Sequence, residues 1–156
     1  MLMENWHKFR QLSAAERGLL LQAILLLPLV HAALFFLGYA RLVRAMAWLL
    51  PLKRVPDGQS AAEVVQQAQE MARLVSIAAQ HGFFQATCLR KSILVWGFLR
   101  RSGVQGQIRF GVQLNERQLA AHAWVEYQGF VVNDAPDVRD HFRTFSDVLP
   151  EHAVDL

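Results

Sequence analysis

Residues 120–134 read AAHAWVEYQGFVVND, and the folding of this stretch decides the architecture of the chain. Ala120 to Tyr127 and Phe130 to Asp134 are two strand-like runs, and the short connection through Gln128 and Gly129 signals a β-hairpin. Two loop types are open. A three-residue loop, Tyr127-Gln128-Gly129 with Gly129 left-handed, sets Glu126 against Phe130 and His122 directly opposite Asp134. A two-residue loop sets Asp134 opposite Ala123, on the other face, because a slip of one residue turns every side chain over. The first register is the one expected to carry chemistry. There the Asp134 carboxylate accepts from one imidazole nitrogen of His122 and leaves the other to take a proton.

Working upstream, the imidazole has a candidate partner in Cys88, the single cysteine of the chain. Gly82 stops one helix, Phe83 to Thr87 lead into the next, and Thr87 is placed to cap a helix starting at Cys88. A thiolate is the reactive form of cysteine, and backbone N–H groups at a helix start stabilise it. Leu89, Ile93, Trp96 and Leu99 are expected to bury one side of this helix and hold Cys88 against a sheet. The order thiol, imidazole, carboxylate is that of a cysteine acyl-transfer triad. Taken singly, a lone cysteine is more often a small buried hydrophobe and a lone strand histidine more often structural. Zinc on Cys88, His122 and Asp134, with His81, is chemically conceivable, but no short Cys or His pair at ligand spacing supports it, and no metal or other cofactor is expected.

Arg100-Arg101-Ser102-Gly103 closes the Cys88 helix with positive charge and a glycine stop, the arginines reading as a solvated terminus. Val104 to Leu114 alternates as a strand, and Asn115-Glu116-Arg117 turns the chain toward the His122 strand. Trp124 and Glu126 share the His122 face. Trp124 either shields the imidazole or is simply a packed strand aromatic, and Glu126 either tunes the site or, as the commoner reading, is an exposed strand carboxylate. Gln85 is a candidate second donor to an oxyanion, beside the Cys88 backbone N–H. Residues 138–156 carry no pattern that places them.

Toward the N-terminus, Ser60-Ala61-Ala62-Glu63 is a capping box for a helix to about Gln80, with Val64, Ala68, Met71, Val75 and Ala78 on its core face. Lys53 to Gln59 is the best linker candidate, with Pro56 and Asp57-Gly58 marking a turn. This divides the chain into a hydrophobic helical region, 1–56, and a catalytic domain, 57–156. Ser13-Ala14-Ala15-Glu16 opens an earlier helix, which Pro28 is expected to end or kink, with a second helix over Leu29 to Leu50 ended by Pro51. Gly18 to Ala40 contains no Asp, Glu, Lys or Arg over 23 residues, long enough for a membrane span. An apolar helical hairpin packed on the catalytic domain or on another protein explains it without a bilayer, and a secretory signal fits poorly because no small-residue cleavage site follows.

Cys88-Leu89-Arg90-Lys91-Ser92, Leu99-Arg100-Arg101-Ser102-Gly103-Val104, Phe110-Gly111-Val112, Ala121-His122-Ala123-Trp124-Val125-Glu126 and Val131-Val132-Asn133-Asp134 together resemble the transglutaminase-like leader peptidases of lasso peptide biosynthesis. The likeness is strongest over residues 80–140. It implies an α+β fold of papain-like or transglutaminase-like type, a Cys-bearing helix packed on an antiparallel sheet that bears His and Asp, with an apolar helical extension in front. It further implies Cys88 as nucleophile, His122 as general base and Asp134 as the residue that orients it. The family removes the leader of a ribosomally made precursor before a separate lasso cyclase acts. It occurs fused to a leader-recognition domain or beside one, and this chain resembles the standalone form. The implied partners are therefore the precursor's leader region, a separate leader-recognition protein and the cyclase. Two alternatives remain: a transglutaminase-type acyl transferase, and a noncatalytic membrane or scaffold protein.

Composition bounds these readings. The chain carries a formal net charge of +3. Residues 1–54 hold seven Lys or Arg against two Glu, and 55–156 hold nine against eleven acidic residues. A basic, Leu-rich front suits an anionic membrane surface or an acidic partner, leaving open peripheral contact through residues 18–50. Nucleic acid is not expected, because the positive charge is interrupted by long apolar runs. One cysteine excludes an internal disulfide, consistent with a cytoplasmic, membrane-associated or free, location.

Overall fold

A computed structural model describes residues 12–50, 60–81, 86–115 and 118–144. Three helices come first: α1 (Ala14–Leu49), α2 (Ala61–His81) and α3 (Cys88–Arg101). They are followed by β1 (Gln107–Asn115), β2 (Gln118–Tyr127), β3 (Phe130–Val131), a short α4 (Val138–His141) and β4 (Arg143–Thr144). The four strands form one antiparallel sheet in the order β3-β2-β1-β4. This is the expected α+β arrangement of helices on an antiparallel sheet.

Both capping boxes form. Ser13 accepts from the Glu16 N–H while its own N–H donates to the Glu16 carboxylate, and Ser60 and Glu63 make the same reciprocal pair. The helix from Ser13 does not stop at Pro28. It continues through the proline and breaks ten residues later at Gly38, whose φ of 73° and ψ of 170° suit only a residue without a Cβ. The packed inner face explains the persistence: Leu20, Ala23, Leu27 and Val30 run on either side of Pro28 into one core with α2 and α3. Pro51 and the linker candidate 53–59 lie outside the described residues.

On α2 the expected stripe is found, with Val64, Ala68, Val75 and Ala78 buried and Met71 packed at its margin. Helix α3 departs from expectation. Every residue from Ser92 to Leu99 is buried, so the helix is enclosed by the other helices on one side and the sheet on the other, instead of burying one face. Its C-terminus is a Schellman turn: Gly103, at φ 88°, donates to Arg100 C=O and Val104 donates to Leu99 C=O. Nor are the terminal arginines merely solvated. Arg100 donates to the carbonyls of Leu50 and Ala47, satisfying the end of α1, and Arg101 donates to Gln22.

The sheet has two differently covered faces. Ile108, Val125 and Tyr127 join the helical core, and Tyr39 of α1 meets Phe110 edge to face at 5.0 Å. On the opposite face Trp124, Val131, Val138 and Phe142 make a second small cluster under α4 and β4. Residues 138–144, which the sequence does not place, thus form the cover of that face.

Candidate functional site

The β2–β3 connection is the two-residue loop, contrary to the register expected to carry chemistry. Tyr127 pairs with Phe130 and Glu126 with Val131, and Gln128 (φ 47°) and Gly129 (φ 84°) both turn left-handed, as a two-residue hairpin demands. Extended as a ladder, this register would send Asp134 to the wrong face. The ladder is not extended. Val132 still donates to Val125 C=O at 2.9 Å, but the return bond from the Val125 N–H goes to the Asn133 side-chain Oδ1 at 2.6 Å. From there the chain bends away through 132–134, and Asp134 swings back to His122. Its Oδ2 lies 2.6 Å from His122 Nε2. The pair forms because Asn133 ends the pairing, not because a particular loop sets the register.

That termination leaves the edge of β2 beyond Val125 without a strand neighbour, and α3 fills it. Val125 directs its N–H and C=O toward β3, so Ala123, two residues away, directs its own toward the same edge. Buried Ser92 of α3 donates its hydroxyl to Ala123 C=O at 2.9 Å and accepts from Asn133 Nδ2 at 2.9 Å. Four residues before Ser92 on the same helix face is Cys88. Cys88 therefore lies one helical turn, about 6 Å along the axis, before the residue whose bond ties its helix to the residue after His122. Cys88 is the first residue of α3, partly exposed and free of any disulfide. Its thiol makes no hydrogen bond to His122 or to another described side chain. Thr87 occupies the N-cap position with extended backbone, but its side chain makes no capping bond, so the first-turn N–H groups are not satisfied by it.

The imidazole is held by aromatic faces as well. His122 stacks on Phe142 at 4.8 Å and 28°, and on Trp124 at 6.2 Å and 26°. Gly111 makes this approach possible. It pairs with His122 across β1–β2, and a Cβ there would stand 2.8 Å from Phe142 Cβ and 2.8 Å from the Trp124 ring. Trp124 is fully buried and donates its indole N–H to Glu126 at 2.7 Å.

Glu126 is not the exposed carboxylate the sequence suggests. It is buried, and Arg139 and Arg109 donate to it at 2.7 Å and 3.2 Å alongside the Trp124 indole. Burial alone would raise its pKa. The Arg139 and Trp124 hydrogen bonds and the two guanidinium charges outweigh burial and hold it below the ordinary carboxylate value. Arg139 also donates to Gly129 C=O, so the carboxylate and α4 together clamp the hairpin turn.

The structure thus joins His122 to Asp134, stacks Trp124 on His122, and places Cys88 at the start of the helix that Ser92 ties to Ala123. Gln85 and the His81 side chain lie outside the described residues. Among the described residues, no group of three His, Cys, Asp or Glu is arranged to hold a metal.

A profile of the transglutaminase-like superfamily matches residues 29–147, well over half of the chain. The chain belongs to that superfamily. The match begins within α1 and extends past β4, taking in the whole sheet and both residues of the His122–Asp134 pair. No curated protein and no solved structure matches the chain. Superfamily members of this type are usually cysteine peptidases or acyl transferases, and the chain is compatible with either class.

Proposed function

We propose that the chain is a cysteine peptidase that removes the leader from a ribosomally made lasso peptide precursor, acting with a separate leader-recognition protein and ahead of the cyclase. The observation that carries a catalytic reading is the His122–Asp134 bond at the strand edge that Ser92 ties to the Cys88 helix. The superfamily supports thiol acyl chemistry, and the motifs quoted above support the leader-peptide role.

In this reading the chemistry follows from which nitrogen is occupied. Asp134 is acceptor-only, so Nε2 of His122 carries its proton toward it and Nδ1 keeps the lone pair. Nδ1 takes the Cys88 proton, and the sulfur forms a bond to the carbonyl carbon before the scissile amide. The C–N bond then breaks as His122 returns the proton to the leaving amine, giving a thioester on Cys88 and the free core peptide. Water, deprotonated by His122, then attacks the thioester carbonyl; the C–S bond breaks, the leader leaves as a carboxylic acid and His122 returns the proton to the Cys88 sulfur. First-turn N–H groups of α3, that of Cys88 foremost, face the oxyanion. Gln85 is the proposed second donor.

The test is incubation of the full chain with candidate precursor and recognition protein, with and without an added primary amine, read by mass spectrometry. A peptidase gives leader acid in both conditions. An amide that replaces the acid when amine is present identifies an acyl transferase instead, and no product in either condition refutes both.

A further inference from the structure

Eight of the eleven large hydrophobic side chains exposed among the described residues lie on α1. They follow its geometry. Leu20, Ala23, Leu27 and Val30 face the core, whereas Leu21, Leu25, Leu29 and Phe36 recur at steps of four and seven residues on the outer side. Phe36 is 78 % exposed. An uncovered apolar stripe of this length exceeds what a freely soluble surface ordinarily carries.

Beyond the Gly38 break the exposed residues change character in one particular way. Arg41 and Arg44 are exposed there, followed one turn later by Trp48 at 82 % exposure. No Asp or Glu occurs anywhere in residues 18–50. Apolar side chains with cations and an indole nearby and no carboxylate are the groups of a helix lying on a bilayer surface, the apolar ones meeting acyl chains, the indole the headgroup level and the cations lipid phosphates.

We propose that the outer face of α1 docks on an anionic phospholipid membrane, lying in its plane. The helix meets every length and composition criterion for a span. However, the inner face is built into the core shared with α2 and α3, and surrounding α1 with lipid would strip that core. Docking uses only the face that is already uncovered. Arg41 and Arg44 select anionic headgroups, since each basic side chain near such a surface adds to the attraction and none on this segment opposes it. The proposal is independent of the peptidase reading, because it involves neither Cys88 nor His122.

The experiment is flotation of the full chain with vesicles of pure phosphatidylcholine and of phosphatidylcholine with phosphatidylglycerol. The expected result is flotation with the anionic vesicles, release by high salt or alkaline carbonate, and a loss of about tenfold or more for Arg41→Glu/Arg44→Glu. Leu25→Asp/Phe36→Asp should abolish flotation while circular dichroism stays at that of wild type. Three results would overturn the proposal. One is no flotation. A second is flotation that resists carbonate, which indicates a spanning helix. The third is a lipid-free dimer by light scattering that Leu25→Asp converts to monomer, which assigns the face to a second copy of the chain.

Discussion

His122 Nε2 and Asp134 Oδ2 stand 2.6 Å apart although the hairpin joining them has the register that would separate them in a continued ladder. The contact therefore depends on the bend at 132–134. Replacing Asp134 with Asn keeps the shape but substitutes a group that can donate, which disfavours the Nε2–H tautomer. If the chain has the proposed activity, leader cleavage should fall by about 10²–10⁴ in kcat with little change in KM, measured by steady-state kinetics on the precursor.

Asn133 makes that bend by taking the Val125 N–H and donating to Ser92, which in turn holds Ala123 C=O. Asn133→Ala and Ser92→Ala should each destabilise the fold by roughly 1–3 kcal/mol, because each leaves buried polar groups unpaired. Since they belong to one network, the double variant should cost less than the two single losses together. Urea unfolding of the four proteins in the cycle measures this. Strict additivity would mean the bonds act separately.

Gly111 is the space that lets Phe142 and Trp124 lie against His122. Gly111→Val should push both rings aside, lowering stability by about 1–3 kcal/mol and reducing kcat more than KM. Near-ultraviolet circular dichroism should report the displaced indole.

The buried Glu126 carboxylate is ionised and held by Arg109, Arg139 and Trp124. Its pKa is depressed from the ordinary 4.5, so its stabilising contribution is complete above pH 4.5 and is lost as pH falls through the lower native value. Glu126→Gln should cost on the order of 1–3 kcal/mol at pH 6, the half-exposed guanidinium groups keeping it modest. The gap from wild type should narrow progressively below pH 4.5. Thermal unfolding at a series of pH values checks the sign.

Much of this arrangement is legible in the sequence. Ser13, Ser60 and Gly103 announce their helix boundaries through local chemistry, and the period of α2 names its core face. His122 and Asp134 are recognisable from residue type and order. What escapes is set by tertiary contacts. Pro28 reads as a break but is carried by packing on either side, whereas the actual break falls at Gly38. Asn133 looks like a strand residue, and only its bonds to Val125 and Ser92 turn it into the end of the ladder. Ser92 did carry a signal, a lone hydroxyl amid Ile93, Leu94 and Val95, and Gly111 carried another, a glycine inside a strand pattern. Phe142 carried none. Glu126 alternates as an exposed strand residue should, and Arg139, thirteen positions away, is what makes its burial tolerable.

In the proposed reading Cys88 and His122 share one site, and the single cysteine makes this measurable without knowing the precursor. The rate of iodoacetamide alkylation at neutral pH should fall by roughly tenfold or more in His122→Ala, since thiolate is the reacting species and the imidazole is its base. Identical alkylation rates in wild type and His122→Ala, with both proteins folded, would contradict the account.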